Sequence, residues 1–89
     1  MKHIKIKVIG KVQGVWFRAS TKDKADEQGL SGYVKNEPDG SVFIEVSGAE
    51  KLIEDFLKWV KKGPELARVD ELIVENNDKE YYDGFVIKR

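Results

Sequence analysis

"SGYVKNEPDGSVFIEVSG", residues 31–48, holds two strand candidates separated by a turn signal. The first candidate is SGYVKN and the second is SVFIEVSG. The four residues between them, EPDG, include the Pro, Asp and Gly that tight turns favour. We therefore expect residues 31–48 to form a β-hairpin.

A strand and a helix are predicted before this hairpin. Residues 2–9 have the period-two pattern of a half-buried strand, alternating Ile4, Ile6 and Val8 with His3, Lys5 and Lys7. The stretch ASTKDKADEQGL, residues 19–30, has a helix-forming composition, and Gly29 is placed to end that helix. Its apolar face is narrow, so we expect close packing through small residues.

A second helix and further strands are predicted after the hairpin. Apolar residues recur at helical intervals until Gly63-Pro64, at Leu52, Ile53, Phe56, Leu57 and Val60. Ser47 and Glu50 have the spacing of a capping box. The segment ARVDELIVEN, residues 67–76, predicts a fourth strand, and the short FVIKR, residues 85–89, is a candidate fifth.

This order of elements predicts one α+β domain over residues 1–89, a ferredoxin-like βαββαβ sandwich. Two helices would pack on one face of an antiparallel sheet of four or five strands. In this topology strands one and two run in the same direction with strand three between them. The segment after strand one and Asn36, at the end of strand two, should therefore meet at one edge of the sheet.

Composition excludes several classes of function. The 89 residues include 16 basic and 16 acidic ones, so the net charge is zero and extensive phosphate neutralisation on a nucleic acid is disfavoured. There is no Cys, which excludes disulfides, thiolate nucleophiles and Cys-based zinc sites. His3 is the only histidine, so neither a His-based metal site nor a Ser-His-Asp triad is available.

The beginning of the sequence bears on location. MKHIKIKVIG alternates charged with aliphatic residues and lacks the continuous apolar core of a signal peptide. No run approaches the roughly 18 apolar residues of a membrane span. We expect a cytoplasmic protein with no membrane partner.

The segment GKVQGVWFR, residues 10–18, joins strand one to the first helix. A glycine-bearing loop at a helix start brings backbone N–H groups together near a partial positive charge, which is an arrangement that binds anions. Gly10 and Gly14 would allow the turn and let an anion approach the backbone, and the Arg18 guanidinium matches two phosphate oxygens. Val12, Val15 and Phe17 would anchor the loop in the core. A turn that binds nothing is equally compatible with this pattern. The spacing fits neither a Walker-type loop nor a dinucleotide fingerprint.

Together, GKVQGVWFR and GYVKNEPDGSVFIEVSG resemble the two signature segments of the acylphosphatases, small enzymes that hydrolyse carboxyl phosphate anhydrides. The resemblance covers nearly the whole chain and implies the ferredoxin-like fold. It also implies that Arg18 grips the phosphoryl group and that Asn36 positions the attacking water. The remaining phosphate contacts would come from the backbone of the loop, at Gln13, Gly14, Val15, Trp16, Phe17 and Arg18.

Such a site needs neither a cofactor nor a metal ion. The leaving group of an acyl phosphate is a carboxylate, which is stable as an anion and requires no general acid. The transition state carries its charge mainly on equatorial phosphoryl oxygens, so positioning and electrostatics provide most of the catalysis. We expect a small acyl phosphate as the substrate and inorganic phosphate as the product or an inhibitor.

Two other functions stay open at this stage. The same loop could hold phosphate or a carbamoyl phosphate-like ligand without catalysis, as acylphosphatase-like domains do inside larger maturation factors. RNA-recognition domains share the fold, but the third strand offers one outward aromatic, Phe43, and lacks the aromatic and basic series that stacks bases.

Several individual residues have simpler expectations. Trp16 and Trp59 are expected to pack, and Tyr33 to cover the sheet. Ser20 or Thr21 would cap the first helix or contact phosphate. The effect of Trp16 and Glu37 on substrate preference is left open by the sequence.

Overall fold

The predicted order of strands and helices is present in a computed structural model, which describes residues 1–88. The elements are β1 (Lys2–Lys11), α1 (Phe17–Glu27), β2 (Ser31–Asn36), β3 (Val42–Gly48), α2 (Glu50–Lys62), β4 (Arg68–Asn76) and β5 (Phe85–Ile87). In the part of the chain described, neither helix has the length and apolar character required to cross a membrane.

All five strands form one sheet, in the order β4-β1-β3-β2-β5. The pairs β4–β1, β1–β3 and β3–β2 are antiparallel, as predicted. Strand β5 pairs with β2 in parallel, so the sheet is mixed. The cause is the path of residues 77–84. This segment hydrogen-bonds to His3, Ser47 and Ser31 in turn, so it crosses one end of the sheet and enters β5 beside the start of β2.

The core lies between the sheet and the two helices. Alternate residues of β1 and β3 are buried in it, as the period-two pattern predicts, and they are Ile4, Ile6, Val8, Val42, Ile44 and Val46. Helix α2 contributes Ile53, Phe56 and Val60, whereas Leu52 is exposed. Helix α1 buries its first residue, Phe17, and then only Thr21 and Ala25, so the expected narrow face of small residues is present within the predicted segment 19–30.

The helix ends differ in part from the predictions. Helix α1 begins at Phe17, two residues earlier than expected, and neither Ser20 nor Thr21 caps it; the Thr21 hydroxyl donates to the Phe17 carbonyl instead. Gly29 ends α1 as predicted, in a left-handed conformation with the Leu30 N–H donating to the Ala25 carbonyl.

The predicted capping box at Ser47 is wrong. Strand β3 continues to Gly48, and Ala49 is the N-cap of α2. The Ser47 hydroxyl is buried in the sheet, where it bonds to His3 and accepts from the Tyr81 N–H. The apolar stripe of α2 was therefore a better indicator of this helix than its capping sequence.

The register brings the predicted site segments to one edge. Asn36 pairs with Val42, which pairs in turn with Val8 near the end of β1. The ends of β1 and β2 and the start of α1 thus lie together, as the topology predicts.

Candidate active site

The loop between β1 and α1 is anchored by apolar side chains. Val12, Val15 and Phe17 are at most 5% exposed, which confirms the anchoring role expected for them. Between these anchors, Gly14 and Trp16 both have left-handed backbones, with φ of 73° and 65°. Successive residues that alternate between left- and right-handed conformations direct their N–H groups toward one point, as in anion-binding nests.

The N–H groups of residues 13–19 have no hydrogen-bond acceptor among residues 1–88. The first paired N–H of α1 is that of Ser20, which donates to the Trp16 carbonyl at 3.0 Å. Unpaired donors at a helix start carry partial positive charge. This loop therefore offers a set of free donors suited to an anion.

Gly10 serves strand pairing and does not belong to this loop. It lies in β1 at an irregularity in the pairing with β4, and a Cβ atom on it would lie 2.1 Å from the Arg68 carbonyl oxygen. The expectation that Gly10 lets an anion approach the backbone is therefore wrong. Gly14 fits that expectation, because a Cβ on it would meet nothing within 4 Å.

A cleft of about 290 Å³ opens beside the loop. It is lined by Val12, Gly14, Trp16, Phe17, Arg18 and Asn36. The structure therefore brings together the two residues assigned to catalysis, Arg18 and Asn36, with three of the residues assigned to phosphate binding. No described side chain forms an ion pair or hydrogen bond with the Arg18 guanidinium.

Asn36 has an unusual environment. Its side-chain oxygen Oδ1 is buried and has no hydrogen-bond partner within residues 1–88. A buried acceptor without a partner is costly in free energy, and it is uncommon outside sites that bind water or a ligand. The Asn36 side-chain oxygen is therefore an acceptor that the described residues leave unsatisfied.

Gln13 and Val15, also assigned to phosphate binding, do not line the cleft, so only their backbone N–H groups are available to an anion. The Gln13 Nε2 group donates to the carbonyls of Glu37 and Ser41, both at 2.9 Å. This side chain connects the loop to the β2–β3 turn directly after Asn36. Sequence reasoning missed this link, and the only signal for it was an amide residue between apolar anchors.

The β2–β3 turn is held by Asp39. Its carboxylate accepts from the Ser41 N–H and hydroxyl at 2.9 and 2.6 Å and pairs with Lys7 at 2.8 Å. The Lys7 bond and then the Ser41 bonds lower the pKa of Asp39 well below its ordinary value. The turn that follows Asn36 is thus fixed from two sides.

Trp16 does not pack as expected. Trp16 is 75% exposed at the cleft. Trp59 is partly buried and packs against Phe17, as expected, with 6.0 Å between the two ring centroids. Ser20 does not line the cleft.

The open face of the sheet, away from the helices, carries a separate polar network. The Glu45 carboxylate accepts hydrogen bonds from the Tyr33 and Tyr81 hydroxyls and from Asn77. Burial opposes ionisation of Glu45, but these three bonds together lower its pKa. Burial and the bond to Glu45 raise the pKa of Tyr33. Tyr33 thus covers the sheet, as predicted, and Phe43 is not alone there, because Tyr33 packs beside it and Tyr81 packs on the Tyr33 ring.

His3 lies at the opposite end of β1 from the cleft. Its Nδ1 is 2.9 Å from the Ser47 hydroxyl and its Nε2 is 3.7 Å from Glu80. Although these are the residue types of a hydrolytic triad, Ser47 is 1% exposed and no substrate reaches it. Among residues 1–88, no group of three or more His, Asp or Glu side chains is arranged to hold a metal ion.

Comparison with known proteins gives one consistent result. Residues 4–87 match the acylphosphatase family model. A Thermotoga maritima protein named acylphosphatase is 48% identical over 88 residues, which cover 99% of this chain and 98% of that one. The crystal structure of acylphosphatase from Bacillus subtilis has a TM-score of 0.95 and 36% identity, with each chain fully covered.

A larger protein also contains this fold. The crystal structure of HypF from T. kodakarensis matches all of this chain with 12% of its own, at a TM-score of 0.86 and 38% identity. The family match spans nearly all of the chain, and the B. subtilis structure superimposes on it from end to end. This chain therefore belongs to the acylphosphatase family.

Proposed function

We propose that this chain hydrolyses the carboxyl–phosphate bond of small acyl phosphates to a carboxylate and inorganic phosphate. One observation carries the proposal: the unpaired N–H groups of residues 13–19 and the Arg18 guanidinium lie beside the same cleft as the buried, unpartnered Oδ1 of Asn36. The first set suits an anion and the second suits a water molecule.

Arg18 and the loop amides bind the phosphoryl group. The guanidinium donates two parallel hydrogen bonds to phosphoryl oxygens, and the backbone donors contact the remaining oxygen charge. These donors are held in place by the buried anchors Val12, Val15 and Phe17 before substrate arrives. Because they need no reorganisation, they stabilise the charge that spreads over the equatorial oxygens in the transition state.

Asn36 orients the water. Its Oδ1 accepts one hydrogen bond from the water, so that a lone pair faces phosphorus. The water oxygen bonds to phosphorus while the bond from phosphorus to the bridging oxygen breaks, and the carboxylate leaves with that electron pair. The proton of the water passes to a phosphoryl oxygen, since an amide is not a base near neutral pH.

Inorganic phosphate is then both a product and a competitive inhibitor, because it offers the loop the same oxygens as the substrate. We infer that nucleic acids are not partners. The chain has a net charge of zero, and the Tyr33 and Tyr81 hydroxyls on the open face are already bonded to the Glu45 carboxylate, a negative group next to any stacked base.

Two substitutions test the proposal. Arg18→Ala should lower kcat/KM for acetyl phosphate by at least about 10²–10³-fold, the loss typical of one oxyanion donor, and should also weaken phosphate inhibition. Asn36→Ala should lower kcat by a similar factor and leave phosphate inhibition unchanged. Arg68→Ala, which removes an exposed arginine on β4, is the matched control and should retain full activity. Ordinary turnover by Asn36→Ala would contradict the role of that residue.

A non-catalytic binding module is the second candidate, and it is favoured by the match to a small part of HypF. The two candidates differ in turnover. If the purified protein binds phosphate but hydrolyses neither acetyl nor carbamoyl phosphate at any pH or temperature tested, the module replaces the enzyme.

A further inference from the structure

Trp16 is in an unfavourable position for a residue without a function. It is the only residue other than glycine with a positive φ in the described chain, at 65°, and its side chain is 75% exposed. A bulky side chain in this backbone region is strained, and such strain is found mainly where it serves a site. An exposed indole also gives up the stabilisation that burial would provide.

The neighbours of Trp16 explain its direction. Val15 and Phe17 on either side are 5% and 1% exposed, so both are fixed in the core. The left-handed turn between them leaves the indole outside, at the mouth of the cleft. Among residues 1–88, no other aromatic ring packs against it and no cation lies over it.

The geometry of phosphoryl transfer determines what meets this side chain. The attacking water and the leaving carboxylate lie on opposite sides of phosphorus. The water is assigned to the buried Oδ1 of Asn36, so the acyl group must extend away from it, toward the open mouth of the cleft. Trp16 and Val12 both line the cleft, and because Trp16 is 75% exposed and Val12 is buried, Trp16 is the large apolar side chain on the exposed side.

We propose that Trp16 determines substrate specificity by contacting the acyl group, and that it favours aromatic acyl phosphates over small aliphatic ones. This inference rests on the proposed function of the cleft. An aromatic acyl group would pack against the exposed indole, whereas a methyl group is too small to cover it. The indole of Trp16 plays no part in the bond-breaking step; only the backbone N–H of this residue belongs to the phosphate-binding donors.

The experiment compares benzoyl phosphate with acetyl phosphate in three proteins. Trp16→Gly removes the ring and suits the left-handed backbone, so the loop can keep its turn. Trp16→Phe keeps an aromatic surface. Tyr82→Ala is the matched control, because Tyr82 is 74% exposed but does not line the cleft.

Trp16→Gly should reduce the ratio of kcat/KM for benzoyl phosphate to that for acetyl phosphate by about two- to tenfold, the range that corresponds to one aromatic pair. The change should lie in KM, with phosphate inhibition unaltered. Trp16→Phe should restore most of the ratio, and Tyr82→Ala should leave it unchanged. A ratio that stays the same in Trp16→Gly, whether both activities fall or neither does, would overturn the inference.

Binding of stable analogues separates this inference from the proposed function. Phenacylphosphonate and acetonylphosphonate carry a CH₂ group in place of the bridging oxygen and cannot be hydrolysed at that position. Calorimetry should give tighter binding of phenacylphosphonate to the unsubstituted chain, and Trp16→Gly should abolish that preference. If no acyl phosphate is hydrolysed but this preference depends on Trp16, the proposed enzyme is wrong and the aromatic contact is right. If both analogues bind equally, the contact is wrong.

Discussion

At the scale of single residues, Gln13 links the two halves of the site. Its Nε2 donates to the carbonyls of Glu37 and Ser41, and these carbonyls also accept from backbone N–H groups of the turn. One end of this link is in the loop between β1 and α1, and the other directly follows Asn36. Gln13 therefore fixes the loop relative to the turn, and under the proposed function we predict that it is a positioning residue, which sets the separation between phosphate and the attacking water.

Gln13→Leu keeps most of the side-chain volume but removes both donors. We expect kcat to fall by about 10–100-fold, because a displacement of about 1 Å between water and phosphorus can cost 10²-fold in rate. The phosphate inhibition constant should change little, since Arg18 and the loop amides are retained. Steady-state kinetics with phosphate as inhibitor measure both quantities.

The loss of two hydrogen bonds should also lower the free energy of unfolding of Gln13→Leu by about 1–3 kcal/mol. Urea unfolding would measure this loss separately from activity. A variant that is destabilised to this degree but keeps its full kcat would restrict Gln13 to a purely structural role.

At the scale of elements, the contact between β1 and β4 depends on Gly10. The register of these strands shifts between Ile9 and Gly10, and the β4 backbone approaches closely at this position. A bulge of this kind changes the direction of a strand as it ends. Here the strand leads into the loop between β1 and α1, so the bulge helps to set the direction of that loop.

Gly10→Ala should destabilise the fold by about 3 kcal/mol or more, because the new Cβ would overlap a backbone oxygen that cannot rotate away. Gly84→Ala is the control: its φ is also positive, at 87°, but a Cβ there has open space within 4 Å. This control should lose only about 1–2 kcal/mol, the cost of a left-handed alanine. Equal losses of unfolding free energy in chemical denaturation would show that backbone strain, not overlap, matters at Gly10.

At the scale of the whole molecule, the network around Glu45 joins the central strands to residues 77–84. A carboxylate with a lowered pKa contributes stability above the pKa of the unfolded chain, and this contribution is lost as pH falls through the folded value. A tyrosine with a raised pKa behaves in the opposite way. Its contribution to stability is full below the pKa of the unfolded chain and is lost as pH rises through the pKa of the folded chain. Tyr33 and Tyr81 are of this second kind.

The free energy of unfolding should therefore be highest on a plateau and decline below about pH 4.3 and above about pH 10, the ordinary Glu and Tyr values. In urea titrations from pH 3 to 11, Glu45→Gln should be less stable than the unsubstituted chain at pH 7, by about 1–3 kcal/mol, and the difference should shrink at pH 3. Tyr33→Phe should reduce the alkaline decline. A Glu45→Gln penalty that is independent of pH would exclude the carboxylate charge as its origin.

Much of the molecule could be predicted from its sequence because the deciding patterns are local. The alternation in β1, the stripe in α2 and the turn at residues 37–40 each specify one element, and their order specifies the topology. That topology placed Arg18 near Asn36 before any distance was known. The resemblance to a family then supplied their roles.

The errors arise where a residue responds to distant parts of the chain. The direction of β5 depends on the path of residues 77–84 around the sheet, and no pattern within three strand residues encodes it. Ser47 was expected to cap α2 because of its spacing from Glu50. Pairing with the neighbouring strands instead extends β3 to Gly48, and the local sequence does not encode that length. Trp16 was expected to pack because aromatic residues usually do, but its two neighbours take the buried positions. The Gln13 link needed the distance between two separate loops.

The parallel pairing of β5 has a consequence for synthesis. This strand leaves the ribosome after every other element described, yet it covers the outer edge of β2 and inserts Phe85 beside Phe56. A nascent chain that has emerged only as far as β4 still has an unpaired backbone edge on β2, the strand that ends at Asn36. The outer edge of β2 is therefore covered only after β5 has been synthesised, and a chain arrested before β5 would expose an unpaired strand edge that favours aggregation.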